Sequence, residues 1–186
     1  MTEKEFALKD LRAIKQVLDE LGINFSLAYG TCLGAYRDKD FLPDDDDIDL
    51  AITEKLPLET RQTIAEKLMD IGFKAQKMYW VVDGRKVDGV ADYVGNEKTG
   101  IIVVERYFKV TLFFFYDDGK EMICIPHDMP LISSLSKFYK KLKKIKFKGD
   151  WYLVPTPTDE YLKWTYGDWK DKTLRNHGKL YYEINH

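Results

Sequence analysis

Two cysteines, three histidines, no long apolar run and no excess of basic charge set aside several kinds of protein. Cys32 and Cys124 lack metal-type spacing, and two thiols in 186 residues do not make the disulfide framework of a small secreted domain. A reducing compartment is the expectation. His127, His177 and His186 are scattered and miss the i, i+4 spacing of a helical zinc site, so they read as surface or structural residues. No stretch reaches the roughly 18 apolar residues of a membrane span, and the N-terminal MTEKEFALKD has no signal-peptide core. The expectation is a soluble, cytoplasmic chain with no membrane span. Its 29 Lys and Arg face 31 Asp and Glu, a net charge of −2, which gives no reason to expect nucleic acid as a partner. Internal repeats and low-complexity linkers are also lacking.

Aromatic residues are plentiful: 12 Tyr, 10 Phe and 4 Trp favour an ordered core over disorder. The length suits one domain over 1–186, with a core over about 1–129 and a C-terminal part, about 130–186, packing on it. Residues 2–21 read as a helix. Thr2 and Glu5 have capping-box spacing, Phe6, Leu11, Ile14, Val17, Leu18 and Leu21 form an apolar stripe, and Gly22 is a stop. A short strand over 24–29 follows, then a turn at Gly30 and a short helix over 31–36. Residues 48–52 read as a second strand, and a helix opens at Pro57 and closes at Gly72. Beyond 73 the pattern is β-rich, with turn signals at Asp83-Gly84 and at Asp117-Asp118-Gly119. Near the end, Thr158 is placed to cap a short helix.

The most unusual segment is GTCLGAYRDKDFLPDDDDIDL, residues 30–50. Five carboxylates, Asp44 to Asp47 and Asp49, crowd behind a glycine-bearing turn. Two carboxylates about 5 Å apart repel by about 3 kcal/mol at an effective dielectric near 20. Either the run is a solvated loop or a cation sits among the carboxylates. On a strand, Asp47 and Asp49 share a face, and Asp45 joins them if the extended geometry starts early enough. Such carboxylates can converge on one Mg²⁺, and the preceding turn offers backbone N–H groups to a phosphate.

These residues resemble the signature of the LicD family, which includes the fukutin-related proteins: Gly-Thr-Leu-Leu-Gly-x-x-Arg, then Ile-Pro-Trp and Asp-Asp-Asp-Ile-Asp. Gly30, Thr31, Leu33, Gly34, Arg37, Pro43, Asp45, Asp46, Asp47, Ile48 and Asp49 match as they stand. VPTPTDEYLKWTYGDW, near the C-terminus, resembles the family's second motif, a Val-Pro-x-Pro segment ending in Tyr-Gly-Asp-Trp. The resemblance implies an α/β (α+β) fold of nucleotidyltransferase type, a mixed β-sheet flanked by helices with a small C-terminal extension. It implies a transferase that moves a phosphorylated group, phosphocholine-like, from a CDP-linked donor to a glycan or similar hydroxyl acceptor, as in cell-surface polysaccharide. By that analogy Asp45, Asp47 and Asp49 bind Mg²⁺ or Mn²⁺. Gly30, Thr31 and Gly34 hold the donor's phosphates, and Arg37 binds and neutralises them. Asp47, Asp49 and Arg37 are then the catalytic set.

The sequence departs from the family at three points. Asp44 stands where the family has Trp, and Cys32 replaces a small apolar residue. In KVTLFFFY, Thr111 falls where another metal-binding carboxylate is common, which leaves Asp45, Asp92, Asp117 or Asp118 to supply the charge. Two other functions remain open: a nucleotidyltransferase using an NTP donor, and a catalytically impaired nucleotide-binding or interaction module. The lysine-rich KFYKKLKKIKFKG reads as a solvated face with Phe138, Leu142, Ile145 and Phe147 turned inward. The motif Tyr166-Gly167-Asp168-Trp169 reads as docking the C-terminal helix.

Overall fold

Thr2 opens the first helix with a complete capping box. Its hydroxyl accepts the Glu5 N–H at 3.3 Å, and its own N–H is donated to Glu5 Oε2 at 2.7 Å. The structure, a computed structural model, describes residues 1–43, 45–82, 85–88, 100–124 and 132–173. Helix α1 (Glu3–Glu20) buries Leu11, Ile14, Val17 and Leu18 and ends before Gly22, whose φ of 70° suits a residue without a Cβ. One polar side chain joins the buried face. Asp10 is fully buried and accepts Arg106 at 2.8 Å and the N–H groups of Tyr107 and Phe108 at 2.9 and 2.8 Å. A buried carboxylate needs such partners, and here they pin α1 to the turn before a central strand.

The elements in chain order are β1 (Ser26–Leu27), α2 (Tyr29–Leu33), a π-helical turn (Gly34–Asp38), β2 (Asp47–Ile52), α3 (Leu58–Asp70), β3 (Lys74–Val82), β4 (Arg85–Asp88), β5 (Gly100–Glu105) and β6 (Lys109–Phe114). Then come β7 (Tyr116–Asp117), β8 (Glu121–Cys124), β9 (Ile132–Leu135), a 3₁₀ turn (Ser136–Phe138), β10 (Lys143–Phe147), β11 (Asp150–Val154) and α4 (Thr158–Tyr166). The main sheet has eight strands in the order β10-β11-β1-β2-β6-β5-β3-β4, and β7-β8-β9 form a small second sheet. Two pairings in the main sheet are parallel, β1 with β11 and β2 with β6, and the others are antiparallel. This is the expected mixed sheet flanked by helices.

β2 and β6 lie at the sheet's centre. Ile48, Leu50 and Ile52 of β2 and Val110 and Leu112 of β6 are fully buried. A parallel pair in this position reads as a run of aliphatic residues because both faces are covered. The two Asp residues of β2 interrupt that run and stand out for that reason.

The structure differs from the sequence reading in three places. The strand expected over 24–29 is only two residues long, because Tyr29 takes a φ of 45° and turns the chain into α2 before Gly30. The lysine-rich segment is a hairpin arm: Lys148 and Gly149, at φ 51° and 97°, reverse β10 into β11. Ile145 and Phe147 point inward while Lys144 and Lys146 are exposed, so the expected solvated face is built on period-two alternation. Thr158 is the first residue of α4 and donates its hydroxyl to the Pro155 carbonyl at 2.7 Å, so it does not cap the helix. The turn expected at 83–84 lies outside the described residues, although β3 and β4 on either side pair antiparallel. Among the described residues no helix is long and apolar enough to cross a membrane.

Candidate functional site

Register builds the site. β2 and β6 run parallel with Asp47 beside Lys109 and Asp49 beside Thr111. Residues two apart on a strand share a face, so these four side chains form one patch at the centre of the sheet. Just before β2, the chain brings Asp45 and Asp46 in as well: Asp45, Asp46 and Asp47 each place a carboxylate oxygen within 4.8 Å of the other two. Mg²⁺ takes oxygen ligands at about 2.1 Å, which sets ligands on opposite sides of the ion at about 4.2 Å. The all-oxygen donor set and its spacing therefore fit a hard divalent cation after small side-chain adjustments. Asp46 joins this trio although the sequence reading did not single it out. Asp49 sits behind it on the strand. Asp44 lies outside the described residues.

The electrostatics follow from the crowding. Partial burial, and then the like charges of Asp47 and Asp45, hold the Asp49 carboxyl well above the usual carboxylate range, with Lys109 opposing. The Lys109 ammonium lies 2.9 Å from Asp47 Oδ2. Partial burial alone would lower its pKa, but Asp47, Asp46 and Asp49 raise it above that of an ordinary lysine.

The turn ahead of the cluster is built from three tight requirements. Ala28 donates its N–H to the Asp49 carbonyl at 3.0 Å, and Asp49 donates its N–H to Thr31 Oγ1 at 2.9 Å. Thr31 is thus bonded to the acidic strand itself. Tyr29 donates its N–H to the buried Tyr161 hydroxyl at 3.2 Å. The next amides, of Gly30 and Thr31, are first-turn groups for which an α-helix has no internal acceptor. Gly34 is needed for close approach: a Cβ there would lie 2.6 Å from the Asp40 carbonyl oxygen and 3.1 Å from the Leu42 nitrogen. Cys32 is fully buried in this turn, and burial pushes its thiol pKa far up, as expected for an inert core residue.

Arg37 faces the C-terminal segment. Its guanidinium donates to Asp38 at 2.8 Å and to the carbonyls of Trp169 and Asp171 at 3.2 and 3.0 Å. Trp169 packs beside Tyr36 with ring centroids 5.8 Å apart, so the Tyr166-Gly167-Asp168-Trp169 motif docks against the π-helical turn. Gly167, at φ 66°, ends α4. Tyr166 is buried, and burial followed by the charges of Asp49 and Asp45 holds its hydroxyl well above the ordinary tyrosine pKa. The second motif therefore lies within electrostatic range of the acidic patch, a link that no sequence spacing shows.

The other carboxylates considered for the site lie elsewhere. Asp117 accepts the Gly119 N–H at 2.8 Å and the Ser136 hydroxyl at 2.6 Å, and Asp118 accepts the N–H groups of Lys120 and Glu121. Both shape the β7–β8 turn. Asp92 lies outside the described residues, as do His127, His177 and His186. Lys109 was passed over in the sequence reading, although its place two residues before Thr111 puts the two on one face.

The family model described as LicD/FKTN/FKRP, nucleotidyltransferase domain, matches residues 22–157. No curated protein sequence matches the chain significantly. Among solved structures, the antibiotic-resistance factor ANT(2'')-Ia superposes with a TM-score of 0.50 at 13% identity, covering 87% of this chain and 70% of that one. The lincomycin-bound lincosamide antibiotic adenylyltransferase LnuA gives 0.48 at 14% identity, covering 83% of each chain. At such identity the likeness to ANT(2'')-Ia concerns the fold alone.

Proposed function

The chain belongs to the LicD family of nucleotidyltransferase-domain transferases, and from that premise we propose that it moves a phosphorylated group, phosphocholine-like, from a CDP-activated donor to the hydroxyl of a glycan or similar acceptor in a metal-dependent reaction. The observation that carries this reading is the convergence of Asp45, Asp46 and Asp47 within 4.8 Å, with Asp49 next along the same strand. Such crowding is costly without a cation and favourable with one.

Asp45, Asp46, Asp47 and Asp49 are the residues that would hold Mg²⁺ or Mn²⁺. Bound there, the ion would neutralise the donor's diphosphate. Thr31 fixes the backbone at Asp49, and the Gly30 and Thr31 amides would meet the donor's phosphate oxygens. Lys109 adds a positive charge at the rim of the patch. The acceptor oxygen attacks the phosphorus of the transferred group, the bond to the CMP oxygen breaks, and the hydroxyl proton leaves to a nearby carboxylate or to water. Phosphoryl transfer of this kind depends mostly on positioning and charge neutralisation.

The test is calorimetric titration of CDP-choline, CDP-ribitol, CTP and ATP, with and without Mg²⁺ or Mn²⁺, against the parent and the double variant Asp47→Asn, Asp49→Asn. The expected result is binding of a cytidine diphosphate donor only with metal, lost in the variant, with CMP formed on turnover. Absence of nucleotide binding by the parent, or pyrophosphate released from CTP or ATP, would overturn the reading.

A further inference from the structure

Lys109 sits where a cation belongs. Its Nζ is 2.9 Å from Asp47 Oδ2, and the parallel register of β2 and β6 sets the two residues side by side. The Lys109 side chain is 38% exposed against 21% for Asp47, so the ammonium lies toward the solvent edge of the pair. We propose that Lys109 is a built-in cation of this site that takes the place of one of two divalent ions, so that the chain holds a single metal ion and a lysine. The inference rests on the metal-dependent reading above and deepens it.

The argument begins with what a pair of ions requires. Two-metal phosphoryl-transfer sites hold their ions about 3.5–4 Å apart and need ligands on both sides. Here the carboxylates come from one stretch of chain, Asp45 to Asp47 and Asp49, and Asp45, Asp46 and Asp47 gather on one side. The facing residues of β6 are Lys109 and Thr111, a cation and a neutral hydroxyl. Thr111 is itself buried beside Asp49. A second divalent ion next to Asp47 would have to displace the ammonium; β6 offers no carboxylate to replace it, and the next one across the sheet, Glu105 of β5, is exposed and lies on the side of Lys109 away from Asp47.

The chemistry of the substitution is direct. An ammonium carries three N–H donors, and Asp47 takes one in this arrangement. It is a compact charge on a flexible stem that can follow a phosphate oxygen as substrate enters. It also spares the protein part of the repulsion among four carboxylates when no metal is bound. Lys109 is therefore a substrate-facing residue in this proposal, and its partner Asp47 is shared between the lysine and the single metal ion.

The experiment titrates Mn²⁺ into the full chain, with stoichiometry read by calorimetry and spin coupling between neighbouring ions read by electron paramagnetic resonance. The proteins are the parent, Lys109→Arg and Lys109→Asp, each checked by near-ultraviolet circular dichroism. The expected result is one uncoupled Mn²⁺ per chain in the parent and in Lys109→Arg, and a second, spin-coupled Mn²⁺ in Lys109→Asp, which removes the ammonium and supplies the missing carboxylate. Two ions in the parent would overturn the inference while leaving the metal-dependent reading intact. A single ion in Lys109→Asp would overturn it as well. No ion in the parent would sink both together.

Discussion

The Thr31 hydroxyl accepts the backbone N–H of Asp49 at 2.9 Å, joining the glycine-bearing turn to the acidic strand through one short bond. The family signature reads as two separate halves in sequence, and here they are a single unit. Thr31 is buried, so removing its oxygen strands a backbone donor at the edge of the carboxylate patch. Thr31→Val, which keeps the shape, is expected to cost about 1–2 kcal/mol in urea unfolding and to weaken Mn²⁺ binding. Thr31→Ser should match the parent in both. Equal metal affinity in Thr31→Val would show that Asp49 does not depend on this anchor.

Arg37 leads to a second expectation. Its guanidinium spans Asp38 and the carbonyls of Trp169 and Asp171, a planar fork that an ammonium cannot reproduce. Arg37→Lys should therefore loosen the segment after α4 first, seen as faster amide exchange over 167–173 with little change in β2 or β6. A loss of donor affinity with unchanged exchange over 167–173 would instead point to direct phosphate contact by Arg37.

Two aspartates should respond to acid in opposite directions. The Asp49 carboxyl has a raised pKa in the folded metal-free protein. The fold therefore carries no penalty from it below about pH 3.9, the ordinary aspartate value. The penalty grows as pH rises through the folded pKa, and is full above it. Asp49→Asn should stabilise the metal-free protein at pH 8 and leave it unchanged at pH 3. Asp40 is the reverse case. Slight burial works against it, but hydrogen bonds from Lys148 and Lys4 lower its pKa to about 2. Its contribution is present above the ordinary aspartate value and lost as pH falls toward 2. Solvent screening at this exposed site keeps that contribution below about 1 kcal/mol. Asp40→Asn should lower stability at pH 7, with most of that effect gone by pH 2. Urea midpoints across pH 2–8 for both variants check the signs.

What could be read from the sequence was what is local. The Thr2–Glu5 box and the stripe from Leu11 to Leu18 define α1 because a helix is written in near neighbours. The alternation of Asp47, Ile48, Asp49 and Leu50 marks β2 in the same way. By the family resemblance Gly34 belongs to a phosphate cradle. The structure shows a second demand on it, the Asp40 carbonyl passing where a Cβ would be. That contact depends on a loop closing over the helix, which no spacing rule encodes. Lys109 is the sharpest case: its place beside Asp47 follows from the β2–β6 register, and register between distant strands is a property of the whole sheet. The reach of Tyr166 toward Asp49 has the same origin, since it needs α4 already docked.

The pairing of Ser26 with Leu153 also bears on how the protein is made. β1 has two residues, and its neighbours are β2 on one side and β11, from the far end of the chain, on the other. During synthesis, everything through β9 emerges from the ribosome while that side of β1 still has no partner strand. The growing polypeptide thus presents an unpaired backbone edge beside its most acidic segment until residues 150–154 have emerged. Ribosome-stalled chains ending before residue 143 should engage holding chaperones, and release should coincide with the emergence of the 143–154 hairpin.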